Sequence, residues 1–269
     1  MTKIDFHTHC FPDRLASRAI QTLSDKSGGI LPYFDGTAVG LSALLKKSGV
    51  DFGVVQSIAT NEHQMRAVND FAKTVLDNSN LNLYAFGSVY PKSEHALDEA
   101  RRVKELGLCG IKFHPDYQGF YPDDESIFSL YEEINRLNLP VLFHAGEDYG
   151  FKPPYHGMPN RLIKALSVLK VPVIFAHFGG IGCAEEVIES VCELPVFLDT
   201  SFASHGIVTK EQALKIIRKH GADKILFGSD APWSDPNDEV NFIESLGLSE
   251  REKELIFNEN AKKILKIKG

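Results

Sequence analysis

The sequence predicts an α/β chain folded as a single (β/α)8 (TIM) barrel domain over residues 1–269, and three observations carry that expectation. Eight short apolar runs recur along the chain, each followed by a segment with helical periodicity. The runs are apolar at nearly every position, as strands buried on both faces are, and strict alternation of strand and helix implies parallel pairing. The length of 269 residues suits one α/β barrel. Neither Gly-X-Gly-X-X-Gly nor Gly-X-X-X-X-Gly-Lys-Ser/Thr follows any strand, which argues against an open nucleotide-binding sheet.

The first strand covers 3–9 and alternates apolar with polar residues, so His7 and His9 share a face. Helical character follows at 13–25 and 40–48. A second strand spans 52–58 and a helix 61–77; the third strand spans 83–89 and ends at Pro91. The next helix runs over 93–106, with Ser93 as N-cap and Gly107 as its stop. Strand and helix then alternate at 109–114 and 123–138, 140–144 and 159–169, 172–177 and 183–193. The seventh strand is 195–199, and Thr209 caps a helix ending at His220-Gly221. Last come a strand at 224–230 and helices at 238–246 and 249–266.

Composition sets the outer limits. The chain is 43% hydrophobic and 24% charged, ordinary for a globular protein. A net charge of -7 gives no general affinity for nucleic acid. No apolar run approaches the roughly 20 residues that cross a bilayer, and the N-terminus reads as a strand rather than a signal peptide. Cys10, Cys109, Cys183 and Cys192 form no Cys-X-X-Cys pair, so neither a disulfide framework nor a zinc ribbon is expected. The expectation is a cytoplasmic protein with a small-molecule substrate and no nucleic-acid or membrane partner. Barrels of this kind often pair, which leaves a homodimer open.

In such barrels the active site lies at the C-terminal ends of the strands. The polar residues there are His7 and His9, Lys112 and His114, His144, His177, Asp199 and Asp230, whereas His63, His95 and His220 fall elsewhere. Alternation puts Asp5, His7 and His9 inward, with Ile4 and Phe6 packed outward; Lys112 and His114 share a face, as do Leu226, Gly228 and Asp230. A buried lysine is costly unpaired, so Lys112 should have an anionic partner. Several imidazoles plus one carboxylate, with a position left open, make a catalytic zinc site; imidazole and carboxylate also admit manganese or another divalent ion.

His7-X-His9, Gly-Ile-Lys112-Phe-His114-Pro115, Phe-His144-X-Gly146, Phe-Ala-His177-Phe-Gly179-Gly180 and Phe-Gly228-Ser229-Asp230-X-Pro232-Trp233 together resemble the amidohydrolase superfamily. The match is to its amidohydrolase-related (amidohydrolase 2) branch and runs from residue 3 to about 233. The resemblance implies metal ligands at His7, His9, His144 and Asp230 and an active-site His177. The branch contains hydrolases, lactonases, hydratases and decarboxylases, so the scaffold does not name the reaction. In two-metal members a fourth-strand lysine can be carbamylated and bridge the ions, the later histidines holding the second. Lys112 is that bridge or a cation for a substrate carboxylate, and His114 and His177 are candidates for a second metal or for substrate. One zinc ion is expected rather than two.

The first functional expectation is a hydrolase of a C–N, ester or lactone bond. Asp230 then moves the proton of a metal-activated water, and His177 stabilises the oxyanion. The alternative is a non-oxidative decarboxylase of a small, aromatic or related acid on the same residues. A TatD-like nuclease is a remote third, since the fourth strand lacks its Gly-Glu context. Asp230 has the plainer reading of a helix cap, Cys10 that of packing, and Asp5 and Asp199 those of supporting carboxylates. Substrate choice is expected in loops 10–48, 115–122, 146–158 and 200–208, with Glu147, His156 and Trp233, and also Tyr117, Asp148 and Tyr149, as contact candidates.

Overall fold

Eight parallel strands pair in sequence order. They are β1 (Ile4–Thr8), β2 (Phe52–Gln56), β3 (Leu83–Ser88), β4 (Ile111–Phe113), β5 (Val141–Phe143), β6 (Val173–Phe175), β7 (Phe197–Asp199) and β8 (Ile225–Leu226). The sheet closes where Phe6 N–H donates to Phe227 O at 2.7 Å, Asp230 N–H to His7 O at 2.7 Å and His9 N–H to Ala231 O at 2.6 Å. The expected (β/α)8 barrel is therefore what forms. The computed structural model describes residues 1–267.

Helices α1 (Asp13–Lys26) and α2 (Ala38–Lys47) follow β1, α3 (Met65–Asp77) follows β2, and α4 (Ala96–Glu105) follows β3. After β4 come α5 (Pro115–Gln118) and α6 (Phe128–Leu137); α7 (Pro159–Ala165), α8 (Ala184–Glu186) and α9 (Lys210–His220) follow β5, β6 and β7. The chain ends with α10 (Pro236–Glu244), α11 (Glu250–Glu254) and α12 (Asn260–Leu265). Two expected helices contain π turns, Val187–Val191 after α8 and Leu255–Glu259 before α12. Thr209 caps α9 through a capping box with Gln212, as the sequence suggests. Ser93 does not cap α4; its hydroxyl accepts the His95 N–H at 3.0 Å and the helix starts later. No helix among the described residues is long and apolar enough to cross a membrane.

Two apolar sets build the core. An inner one takes Ile4, Phe6, Val54, Phe86, Leu142, Ile174, Phe197 and Leu226, with Ala261 and Ile264 of α12 packed against them. The outer set takes the alternate residues, Val55, Ala85, Ile111, Phe113, Val141, Phe143, Val173, Phe175, Leu198, Ile225 and Phe227, against the helices. Lys112 and His144 have the inner parity, one step from outer Ile111 and Phe143.

The first strand breaks the expected alternation. Ile4 and Phe6 are inner residues rather than outward ones, and Phe6 meets Phe86 edge-on at 5.6 Å. The cause is a register shift: Asp5 pairs with Gly53 but Thr8 with Val55, so β1 carries one extra residue. Such a bulge resets the side-chain phase, and His7 turns to the mouth directly after inward Phe6. Asp5 serves the bulge, not the mouth. Its Oδ1 accepts the backbone N–H groups of His7 at 3.1 Å and Ser229 at 2.9 Å.

Candidate metal centre

The orientation of each first-strand imidazole is set from behind. His7 Nδ1–H donates to Asp199 Oδ2 at 2.8 Å, and His9 Nδ1–H donates to the Gln56 carbonyl at 2.9 Å. Both Nε2 atoms are then left with lone pairs. They converge on Asp230 Oδ1, which lies 3.0 Å from His9 Nε2 and 3.5 Å from His7 Nε2. Ligand atoms of these three residues lie within 4.8 Å of one another. Two lone-pair nitrogens and a carboxylate oxygen hold together only through a proton or a cation, and the set fits a divalent ion with positions left open. Asp230 starts no helix, since Asp235 caps α10. Burial opposes the Asp230 charge, but a proton placed between it and His9 Nε2, together with the fields of His7, His9 and Lys112, holds its carboxyl below the usual range.

Two of these positions carry backbone strain. Asp230 has φ 72° and His177 φ 58°, left-handed values that side chains pay for and that surrounding structure must enforce. For His177 the anchor is Asp199 Oδ1, which accepts its backbone N–H at 3.0 Å.

A second group of side chains adjoins the first. His177 Nε2 lies 3.0 Å from His144 Nδ1, and His144 Nε2–H donates to the Glu147 carbonyl at 3.1 Å. His144 stacks on His114 with ring centroids 4.1 Å apart and planes at 10°. His114 Nε2 lies 3.2 Å from Asp148 Oδ2. Thus His144 stands with His114 and Asp148 in one potential ligand group, while His7, His9 and Asp230 form another. Burial pushes the His144, His177 and His114 imidazoles below their usual value, and neighbouring imidazoles add to that for the first two.

Lys112 is buried and its Nζ meets His7 Nε2 at 3.1 Å, not a carboxylate. The anionic partner expected from the sequence is replaced by the more distant fields of Asp199, Asp230 and Asp148. Burial outweighs them and lowers the ammonium pKa to about 8.

Ser201 was invisible as a site residue in the sequence. Its Oγ lies 2.8 Å from His177 Nδ1, 3.1 Å from His7 Nδ1 and 2.5 Å from Asp199 Oδ1. The signal that finds it is parity, since it stands two residues beyond Asp199.

Of the loop candidates, Trp233 is half-buried and its N–H donates to Asp230 O at 2.9 Å. His156 turns away from the mouth, its N–H on Asp116 Oδ1 at 2.9 Å and its ring over Tyr121 at 4.3 Å. Glu147 packs its carboxylate against Gly182. A cleft of about 480 Å3, lined by Ile30, Leu31, Pro32, Tyr33 and His205, opens beside the centre. It is joined to the Asp230 loop where Tyr33 N–H donates to Pro232 O at 2.9 Å.

A parallel barrel whose mouth gathers histidines from the end of the first strand and an aspartate just past the eighth is the framework of a metal-dependent enzyme class. Matched over residues 4–267, the chain belongs to the Amidohydrolase family, in its amidohydrolase 2 branch. One curated relative, the 2-amino-3-carboxymuconate-6-semialdehyde decarboxylase of Dictyostelium discoideum, is 28% identical over 235 residues. That match covers 74% of this chain and 65% of the relative's length. Among solved structures, an uncharacterized TIM-barrel protein from Bordetella bronchiseptica superposes with a TM-score of 0.83 at 16% identity, over 99% of each chain. A dihydroxybenzoic acid decarboxylase from a Polaromonas species, with bound manganese and the inhibitor 2-nitroresorcinol, gives a TM-score of 0.73 at 17% identity, over 99% of this chain and 97% of that one. At those identities the two structures attest the shared fold.

Proposed function

We propose that this chain is a cytoplasmic, metal-dependent, non-oxidative decarboxylase of a small carboxylic acid. The observation that carries the reading is the curated decarboxylase aligned with 74% of the chain. The hydrolase expected first from the sequence needs the same ligands, and the comparison favours the alternative. His7, His9 and Asp230, with His144 drawn in as a further ligand, would hold one zinc ion; manganese is the other candidate. Bound there, the ion would supply positive charge to offset that of a substrate carboxylate.

The rest of the chemistry falls to the chain's own side chains. His177 takes up a proton from solvent to become an imidazolium, delivers the Nε2 proton to the carbon bearing the carboxylate and returns to the neutral ring. The π pair of that carbon forms the new C–H bond. The bond to the carboxylate then breaks, its electron pair restores the π system, and carbon dioxide leaves with no redox partner required. Lys112 offsets substrate negative charge, and Asp199 with Ser201 keeps His7 and His177 aimed. His7, Lys112, His144 and His177 are themselves buried, so their charges and protons act with little screening by bulk water.

The test offers the zinc-loaded protein hydroxybenzoates and unsaturated dicarboxylic acids alongside esters, amides and lactones. Carbon dioxide is measured directly. Its stoichiometric release from an acid is the expected result. Cleavage of an ester, amide or lactone without carbon dioxide from any acid returns the hydrolase reading.

A further inference from the structure

The run Ile30-Leu31-Pro32-Tyr33, between α1 and α2, is apolar yet joins neither core set. Leu31 is 76% exposed and Tyr33 46%. The backbone around it is tied down. Phe11 N–H donates to Gly36 O at 2.8 Å, Gly29 N–H to Ser24 O at 2.8 Å, and Tyr33 N–H to Pro232 O at 2.9 Å, two residues past Asp230. Those bonds hold the apolar run at the barrel mouth, along the cleft of about 480 Å3 that opens beside the centre.

The remaining wall is His205, and it is held as firmly. Its ring lies flat on Phe202, with centroids 4.1 Å apart and planes at 1°. Phe202 directly follows Ser201, whose hydroxyl touches His7 and His177. It stands at φ 67°, with its N–H on Ser229 O at 3.2 Å. A bulky residue keeps that left-handed conformation only where its surroundings enforce it. On the other side, buried Glu239 accepts the Ser204 hydroxyl on Oε1 at 2.6 Å. The cleft thus continues from the centre along one fixed segment. No Lys, Arg, Asp or Glu is among its lining residues. Burial lowers the His205 pKa against the opposing fields of Asp230 and Asp238, so the imidazole too is neutral.

We infer that this cleft is a subsite for an apolar, uncharged substituent of the substrate, carried on the part of the acid remote from the departing carboxylate. The inference rests on the carboxylic-acid reading above, which puts the carboxylate at the centre, and deepens it. The cleft has the size of a small-molecule site. Its exposed apolar side chains gain by being covered. A second carboxylate seated there would lose water without finding a cation. The site therefore favours monocarboxylic acids with an alkyl or aryl extension over dicarboxylic acids.

The experiment is calorimetric binding of benzoate, 3-butylbenzoate, 4-butylbenzoate and benzene-1,4-dicarboxylate to the zinc-loaded protein, with carbon dioxide release followed separately. Wild type is expected to bind at least one butyl isomer about tenfold or more tightly than benzoate, the gain from burying about two methylene groups. The dicarboxylate should bind no more tightly than benzoate. Ile30→Asn and Leu31→Asn should each cut the butyl gain about threefold or more, the loss of about one buried methylene group, at unchanged zinc content and thermal midpoint. Leu31→Met, which keeps the wall apolar, should retain the gain. Equal affinities for benzoate and both butyl isomers, binding of none of the probes, tighter binding of the dicarboxylate, or a gain untouched by both asparagine variants overturns the inference. A wild-type dimer that Leu31→Asn dissociates, with no butyl gain, overturns it too and assigns the cleft to a second copy of the chain. A butyl gain without carbon dioxide from any acid sinks the decarboxylase reading and leaves the subsite standing; carbon dioxide without the gain does the reverse.

Discussion

His7 and His9 are the same residue type at the end of one strand, and what suits them to bind a metal together is what lies behind them. A carboxylate and a carbonyl fix both Nδ1 hydrogens, so both Nε2 lone pairs face Asp230. Asp199 does most for this arrangement, because it also holds the His177 backbone and Ser201. Asp199→Asn keeps the shape but weakens the grip on His7 and allows its tautomer to invert. Removing such a supporting partner commonly costs about 10–100-fold in metal affinity. Zinc retention against a graded series of chelators should fall by that order in Asp199→Asn, with the thermal midpoint of the zinc-free protein little changed. Unchanged retention rules out the supporting role.

At the scale of elements, most of the barrel was legible because buried parallel strands write short, nearly unbroken apolar runs. His7, His9, Lys112, His144, His177 and Asp230 were legible because strand ends are where such barrels keep polar groups. The β1 bulge was not, since an inserted residue changes phase without changing composition. The same is true of the Asp148 contact, which depends on how the loop after β5 folds back. Gly228 records the bulge indirectly: a Cβ there would meet His7 Cβ at 2.9 Å and Ser201 Cβ at 3.3 Å. Gly228→Ala should push His7 off its position and destabilise the fold by about 1–3 kcal/mol, the usual cost of overpacking, with weaker zinc binding in the same titration. A variant with wild-type zinc affinity shows that β1 yields freely at this point.

A second element argument concerns the end of α9. His220 is buried, accepting the Glu193 N–H on Nδ1 at 3.3 Å and donating from Nε2 to Val196 O at 2.9 Å, so the ring is neutral in the fold. Burial, helped by Lys224, lowers its pKa from 6.5 to about 4. Stability drawn from a depressed imidazole is complete above pH 6.5 and is lost as pH falls through about 4. The denaturation midpoint of wild type should fall over that window. His220→Gln, which offers a donor and an acceptor but no proton to gain, should flatten the decline even if its midpoint starts lower. An identical acid profile in both proteins assigns the acid sensitivity to other groups.

For the molecule as a whole, the centre and the closure of the barrel are one feature. β8 has only two residues in regular pairing, and the seam to β1 is completed by the N–H groups of Phe6, His9 and Asp230 and by the Asp5 carboxylate on Ser229. The proposed ligand set straddles that seam, His7 in β1 and His9 just past it facing Asp230 beyond β8. An ion held there opposes opening of the barrel at its shortest strand pair, so metal binding and closure are linked. A ligand present at about 100 times its Kd adds about 2.7 kcal/mol to stability when only the folded state binds it. Calorimetric unfolding of zinc-stripped protein should therefore fall below that of the loaded form and recover on titration with zinc. Amide exchange separates this from a general effect. The amides of His9 and Asp230 should exchange faster on stripping, while those of Ile111 and Val141 on the far side of the barrel change little. Uniform acceleration around the barrel, or a midpoint indifferent to zinc, shows that the seam is closed by the chain alone.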